Sequence, residues 1–318
     1  FRRVLFRSVG FRMDGADYST SMKNPLNQFS PRFSASYSLT DEVSVNFNTG
    51  RYYQQPPYTA LGYRSSNNEL VNKQNNLKFI RSDHIVAGLE YNPNDKIKTT
   101  LEGFYKKYDN YPFSVNDSIN IASKGADFGT FGDEELRSIS EGYAYGIEAL
   151  ARLKMFRGFN GIVSYTYVRS LFDDQYGDFV PSAWDNRHIV SITMTKSFNK
   201  NWDFGFKWRY LGGAPYTPYD LEKSSLIYAW NVRGRAYPDY NRFNSERLNP
   251  FHQLDIRIDK QYFLDKWSLG FYLDIQNLYN FKAKNQEEYI LVKDENGNPV
   301  INPDDNTRYE LKGIATES

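Results

Sequence analysis

The sequence predicts an all-β chain: an antiparallel sheet whose strands cross a membrane and curl as part of a barrel. Three observations carry this reading. Apolar and polar residues alternate with a period of two in one segment after another, which puts all the apolar side chains on one face of each strand. No apolar run approaches the roughly 18 residues a transmembrane helix needs, whereas a barrel strand is only half apolar and shows no such run. Connections also alternate short, long, short, long, as in a membrane barrel with tight turns at one rim and long loops at the other.

The strands follow in order. Val9, Phe11 and Met13 end a first strand, before a polar loop from Asp14 to Gln28. Phe33, Ala35, Tyr37 and Leu39 then oppose Arg32, Ser34, Ser36 and Ser38. Thr40-Asp41-Glu42 turns the chain into Val43, Val45 and Phe47, opposite Ser44, Asn46 and Asn48, which makes a hairpin. Gln54 to Lys78 is a long loop holding Pro56-Pro57. His84 to Tyr91 is the next strand. Asn92-Pro93-Asn94-Asp95 is a strong turn signal, and Ile97 to Tyr105 returns. A second long loop, Asp109 to Ser140, carries Gly125, Gly129, Gly132 and an acidic cluster.

Tyr143, Tyr145, Ile147, Ala149, Ala151 and Leu153 form another apolar phase, followed after a turn by Phe159, Val163, Tyr165 and Tyr167. A medium loop, Leu171 to Asn186, leads to the clearest hairpin, Arg187 to Leu211, whose turn is Asn199-Lys200-Asn201. In its second arm Trp202, Phe204, Phe206, Trp208 and Tyr210 share one face, and Asp203, Lys207 and Arg209 the other. Gly212 to Pro250 is the longest loop. Leu254, Ile256 and Ile258 alternate with Asp255, Arg257 and Asp259, and Trp267 to Ile275 is the last clear strand. The tail offers a strand at Glu288 to Val292 and a turn signal at Asn296-Gly297.

Composition fits this reading. Lys+Arg 39 against Asp+Glu 38 leaves +1, so no basic surplus points to nucleic acid. The chain has 26 tyrosines and 23 phenylalanines, as aromatic girdles at two membrane interfaces require, although an aromatic-rich soluble β protein has the same content. Cysteine is absent, which excludes thiolate metal sites and cysteine nucleophiles. Arg2 to Ser8, RRVLFRS, is similar to the translation of a sequencing-adapter oligonucleotide, so residues 1–8 are expected to be a non-native leader and 9–318 the barrel portion.

Several phrases, in order, carry a family resemblance: NPLNQFSPRFSASYSLTDEVSVNFNTGRYYQQPPYTALGY (Asn24 to Tyr63), DHIVAGLEYNP (Asp83 to Pro93), LEGFYKKYDNYPFS (Leu101 to Ser114), SYTYVRS (Ser164 to Ser170), WDNRHIVS (Trp184 to Ser191), GGAPYTPYD (Gly212 to Asp220) and YLDIQNLYNF (Tyr272 to Phe281). Together they resemble the C-terminal barrel of TonB-dependent outer-membrane receptors, and most of all those with a carboxypeptidase-regulatory-like N-terminal domain. The resemblance implies about half of a 22-stranded barrel, with short periplasmic turns and long extracellular loops. It implies import of a scarce metal chelate, vitamin or glycan with TonB-derived energy, across the outer membrane of a Gram-negative cell. The implied partners are outer-membrane lipid, the receptor's own plug, the TonB complex through an N-terminal region, and a surface lipoprotein. Plug, TonB-contacting segment, first half of the barrel and aromatic closing strand have no counterpart in this sequence, so a fragment is expected. The rival readings are a passive porin-like channel and a soluble glycan-binding β module.

Catalytic signals are lacking. His84, His188 and His252 are widely spaced, with no paired-histidine motif, and a structural role is expected for His188, in contact with the lumen or a neighbouring strand. No nucleophile elbow, phosphate loop or dinucleotide fingerprint occurs, so no enzyme, metal or cofactor is expected. Asp294 to Asp305 is faintly similar to a calcium loop, but Pro299 stands where the bend needs glycine. The run Gly132-Asp133-Glu134-Glu135 is expected to be a solvated loop tip, the alternative being a site for calcium or a lipopolysaccharide-bridging cation. Loop aromatics and nearby arginines are the candidate ligand-binding residues: Arg51, Tyr52, Tyr53, Tyr58, Trp184, Arg187, Tyr216 and Tyr219, with Tyr63, Tyr111 and Phe113 as further rings. Rings stack on a flat or apolar ligand face and arginines supply charge. The alternative for these rings is a girdle or loop packing. Arg32, Lys98, Glu102, Glu148, Arg152, Asp203, Lys207, Arg209, Asp255, Arg257, Asp259 and Asp274 are expected to face the lumen and to pair across strands or with a plug.

Overall fold

A computed structural model describes residues 5–124, 132–315 and 317. Residues 1–4 of the expected leader, Gly125 and Gly129 of the second long loop, and Thr316 and Ser318 lie outside the described residues. The chain divides into two compact units, residues 1–212 with 251–281, and residues 213–250 with 282–318.

The first unit is one antiparallel sheet in sequential order. Its long strands are β1 (Leu5–Arg12), β2 (Ser30–Ser38), β3 (Val43–Gln54), β4 (Ile80–Asn94), β5 (Ile97–Ser114), β6 (Leu136–Phe156), β7 (Phe159–Asp173), β8 (Arg187–Phe198), β9 (Trp202–Leu211), β10 (Phe251–Phe263) and β11 (Ser268–Ile275). Among the described residues β1 and β11 do not pair with each other, so the sheet is an open part of a barrel. The tight turn between β8 and β9 has Lys200 and Asn201 at φ 61° and 59°, the paired left-handed geometry of a two-residue hairpin turn.

Register turns the alternation of each strand into a continuous wall. Ala35, Phe47, Ala87, Gly103, Ile147, Tyr167 and His188 form one row across seven strands. Met194, Phe206, Ile256 and Ile275 continue this apolar face, and Trp208 sits between Ile192 and Leu254. The polar phase occupies the other face, including all the residues expected in the lumen. Lys98 pairs there with Glu90 at 2.9 Å, Arg209 with Asp255 at 3.7 Å, and Arg257 with Asp259 at 2.7 Å.

The apolar face is bounded at both ends. At the short-turn end, Lys196 lies 4.1 Å over the Phe159 ring, and Lys260 lies 5.2 Å over Trp202 and 4.8 Å over Tyr262. Each ammonium donates to a turn carbonyl, of Arg157 and Lys200 respectively. These lysines sit in the apolar phase and snorkel, stems on the rings and charge at the rim. From Trp202 to Tyr210 the belt runs about 26 Å along the strand, at about 3.3 Å per residue.

At the long-loop end the same face changes chemistry within two residues. Beyond Ile85 and Tyr105, Arg51 donates from Nε and Nη2 to the two carboxylate oxygens of Asp83, at 2.7 and 3.1 Å. Asp83 also meets Arg81 at 3.4 Å, Arg81 pairs with Asp109, and Lys107 reaches Asp109 at 3.4 Å and Glu141 at 3.2 Å. A self-neutralising ion-pair ladder thus extends the sheet above the belt. Accordingly β4, β5 and β6 are longer than the expected strands: residues 80–83 precede the strand expected from His84, and 109–114 and 136–140 fall within the expected loop Asp109 to Ser140, because the ladder breaks the apolar phase.

The loops at this end fold together. Met22, Ala60, Leu61, Leu77, Phe79, Ile121 and Leu136 form a buried core, with Tyr18, Tyr53 and Tyr111 against it. Asn72, fully buried in a helical turn (Val71–Gln74), donates to the carbonyls of Ala60 (2.7 Å) and Glu134 (2.8 Å) and accepts from the Leu136 amide (2.7 Å). The acidic run is therefore not a free solvated tip. Glu134 accepts from Ser114 and from Lys124, and Asn75 donates to Glu135 at 3.2 Å, leaving Asp133 exposed.

The second unit replaces an expected loop and tail with ordered structure. Helix Ile227–Arg233 ends on Gly234, left-handed at φ 71°, and buries Ala229 and Trp230. The strands β12 (Glu288–Leu291) and β13 (Leu311–Ile314) pair. Between them Gly297 (φ 83°) closes the turn predicted at Asn296-Gly297. Arg308 ties the two segments by donating to Glu222 O (2.5 Å) and Ser225 Oγ (2.7 Å).

Candidate functional site

The polar face of β2 to β5 carries a stack of planar groups. Arg32, Tyr52 and His84 all belong to the polar phase of consecutive strands. The Arg32 guanidinium lies 4.4 Å over the Tyr52 ring, whose other neighbour is the His84 imidazole at 4.5 Å between centroids. His84 Nε2 and Ser82 Oγ share a hydrogen bond of 2.7 Å. Gly50 makes room: a Cβ there would stand 3.1 Å from Arg32 Cγ and 3.3 Å from Tyr52 Cε2.

This stack is the floor of a cleft of about 760 Å³, whose other walls include Arg12, Asp14, Tyr53, Phe79, Tyr108 and Tyr111. Tyr108 and Tyr111 are held edge to face at 6.3 Å, and Phe172 packs on both. The site thus combines rigid rings, two guanidiniums, one carboxylate and several hydroxyls, with the loop core behind it. Such a cleft recognises ligands by stacking and charge. Among the described residues no cluster of metal-ligating side chains occurs.

Of the expected ligand-binding residues, the structure brings Tyr52 and Tyr53 together in this cleft. Arg51 is on the apolar face, paired with Asp83. Tyr58 is 84% exposed on the loop cap and Trp184 is 55% exposed. Arg187 opens β8 with a left-handed backbone, φ 61°. Tyr216 and Tyr219 belong to the second unit, where Tyr219 packs edge-on against Tyr289 at 5.8 Å. The sequence pointed to Tyr111 among the loop rings. It gave no ligand role to Arg12, Asp14, Arg32, His84 or Tyr108, whose convergence depends on register and on the loop after β1. Of the other histidines, His188 meets the Tyr165 hydroxyl at 3.0 Å, and His252 the Tyr279 hydroxyl at 2.8 Å.

Comparison with known proteins places the sheet. The family described as TonB dependent receptor-like, beta-barrel, matches residues 7–278. No curated protein sequence matches. Among solved structures, the ferric-catecholate import receptor Fiu from E. coli K12 shares 13% identity over 99% of this chain and 40% of its own length, with a TM-score of 0.55. The ferripyoverdine receptor of Pseudomonas aeruginosa shares 18% over 82% of this chain and 30% of its own (TM-score 0.54). The ferric citrate transporter FecA shares 14% over 91% and 37% (TM-score 0.54). The chain thus spans less than half of each of these receptors, and at such identities the likeness speaks for the fold. The family match covers most of the chain and agrees with the sequential antiparallel sheet, its belted apolar face and its alternating connections. The chain belongs to the TonB-dependent receptor β-barrel family, and its first unit is part of a receptor barrel in the outer membrane of a Gram-negative cell.

Proposed function

We propose that this chain forms the lumen wall and part of the ligand-recognising surface of a receptor that captures a scarce extracellular ligand and imports it with energy delivered through TonB. The cleft carries this reading: rings and guanidiniums converge on the polar face at the long-loop end, where an incoming ligand first meets the wall. The receptor's own plug is the proposed partner of the polar face, a surface lipoprotein a proposed partner of the loops, and lipid the partner of the apolar face. Solved relatives titled as ferric-catecholate, ferripyoverdine and ferric-citrate receptors put a metal chelate first among ligand classes, followed by a vitamin and a glycan. The exposed belt of Phe47, Ile85, Leu101 and Ile147 argues against a soluble module.

The test is uptake by cells lacking the gene, complemented with it, with and without TonB. Labelled ferric catecholate, cobalamin and maltodextrin are the probes. Uptake of one of them that needs both the gene and TonB is the expected result. If no probe's uptake falls when the gene or TonB is removed, the reading is wrong.

A further inference from the structure

The cleft holds two polar groups of opposite charge that the protein leaves incompletely satisfied. Asp14 follows β1 and has one carboxylate oxygen, Oδ1, bonded to Arg12 Nε at 2.8 Å. Its second oxygen, Oδ2, is shielded from solvent and has no hydrogen-bond partner. Arg32 Nε, on β2, is likewise shielded and unpartnered, although the guanidinium plane rests on Tyr52. Neither atom is itself open to a ligand, but each leaves its group's charge undercompensated, and both side chains keep partly exposed surface where an opposite charge recovers free energy. Both residues line the same cleft, with the rings of Tyr52 and Tyr111 on its walls.

Each single-charge ligand leaves one of these groups worse off. An anion satisfies Arg32 but meets the Asp14 carboxylate. A cation satisfies Asp14 but meets Arg12 and Arg32. A neutral sugar donates to Asp14 but brings no charge to Arg32. A small zwitterion with a flat apolar part answers both groups and the rings, and about 760 Å³ falls in the usual range for such ligands. We infer that the cleft binds a small aromatic zwitterion of the amino-acid or short-peptide type, its carboxylate toward Arg32 and its ammonium toward Asp14. This rests on the reading of the cleft as the receptor's ligand site.

The probe is the dipeptide glycyl-phenylalanine, with its N-acetyl form and its C-terminal amide, titrated calorimetrically into the purified full-length receptor. The zwitterion is expected to bind about tenfold more tightly than either blocked form. Arg32→Gln should abolish the preference for the free carboxylate over the amide and keep the preference for the free amine. Asp14→Asn should do the converse. Heat-dependent mobility in detergent gels shows whether each variant is folded, and the three-probe comparison on the unaltered receptor decides the matter if one is not. Equal binding of all three probes, or no binding, overturns the inference, the latter including a cleft already filled by a segment of the receptor itself. The two readings fail separately. Binding of the dipeptide without TonB-dependent uptake of any probe sinks transport and keeps the zwitterion site. Uptake of an iron chelate by a receptor that does not bind the dipeptide does the reverse.

Discussion

The Arg32 guanidinium stacks 4.4 Å above the ring of Tyr52, on a face where Gly50 leaves space for both side chains. One missing side chain on β3 therefore fixes the floor of the cleft. Gly50→Val places new methyl groups against Arg32 Cγ and the carbonyl of Pro31, which a Cβ would already meet at 3.3 Å. It should separate the pair and weaken ligand binding about fivefold, the value of roughly 1 kcal/mol for a partly desolvated cation–π contact. Calorimetry with the receptor's ligand checks this. Unchanged affinity would show that the stack does not shape the site.

The two faces of β9 should respond oppositely to charge. Phe206 lies between Met194 and Ile256 in mid-belt, so Phe206→Lys should destabilise the barrel by about 2–4 kcal/mol. Lys207→Ala, on the polar face, should change stability by less than about 1 kcal/mol. Urea unfolding in lipid vesicles measures both.

The ladder above the belt predicts coupled charges. A double-mutant cycle on Arg51→Ala and Asp83→Ala should return an interaction of about 0.5–1 kcal/mol, since the pair is bidentate but about a third or more of each side chain is exposed. The coupling should shrink in high salt. A null result would mean that the strands leave the membrane without help from this pair.

Asn72 makes three hydrogen bonds from a fully buried position, linking the loop after β3 to the loop before β6. Asn72→Ala orphans two carbonyls and one amide, and should destabilise the loop cap by about 2–4 kcal/mol, at about 1–3 kcal/mol for each buried group left without a partner and partial relaxation. The readout is limited proteolysis: cleavage within residues 55–79 and 115–135 should accelerate while the strands stay protected.

Lys124 gives the cap a pH limit. Burial pushes its ammonium pKa down, but the carboxylates of Asp117 and Glu134, each 2.6 Å away, push it further up, and it stands above the ordinary 10.5. A raised lysine pKa contributes stability that is complete below the unfolded value and is lost as pH rises through the folded one. Protease resistance of the cap should therefore hold from neutral pH to near 10 and fall above 10.5. Lys124→Met should lessen that alkaline fall and leave the part that the partly buried Tyr18 hydroxyl, also raised above 10.0, contributes.

The strands were legible because lipid on one side and water on the other impose a period of two, as in Trp202 to Tyr210. The same rule hid what departs from it. Lys196 and Lys260 occupy apolar positions because their charges reach the rim, and Arg81 to Asp83 is strand because ion pairs replace lipid contact. Residues 213–250 read as loop because their short helices and two-residue strands carry no period long enough to see.

By itself, then, the sequence determined the sheet, its two faces and its alternating connections, since each follows from local alternation along the strands, and its ordered phrases carried the family resemblance. Only the tertiary structure decided which residues form the cleft. Arg12, Asp14, Arg32, Tyr52, His84 and Tyr108 come from five separate segments. Strand register and the packing of loop on loop bring them together, and both are set by contacts between residues far apart in the chain.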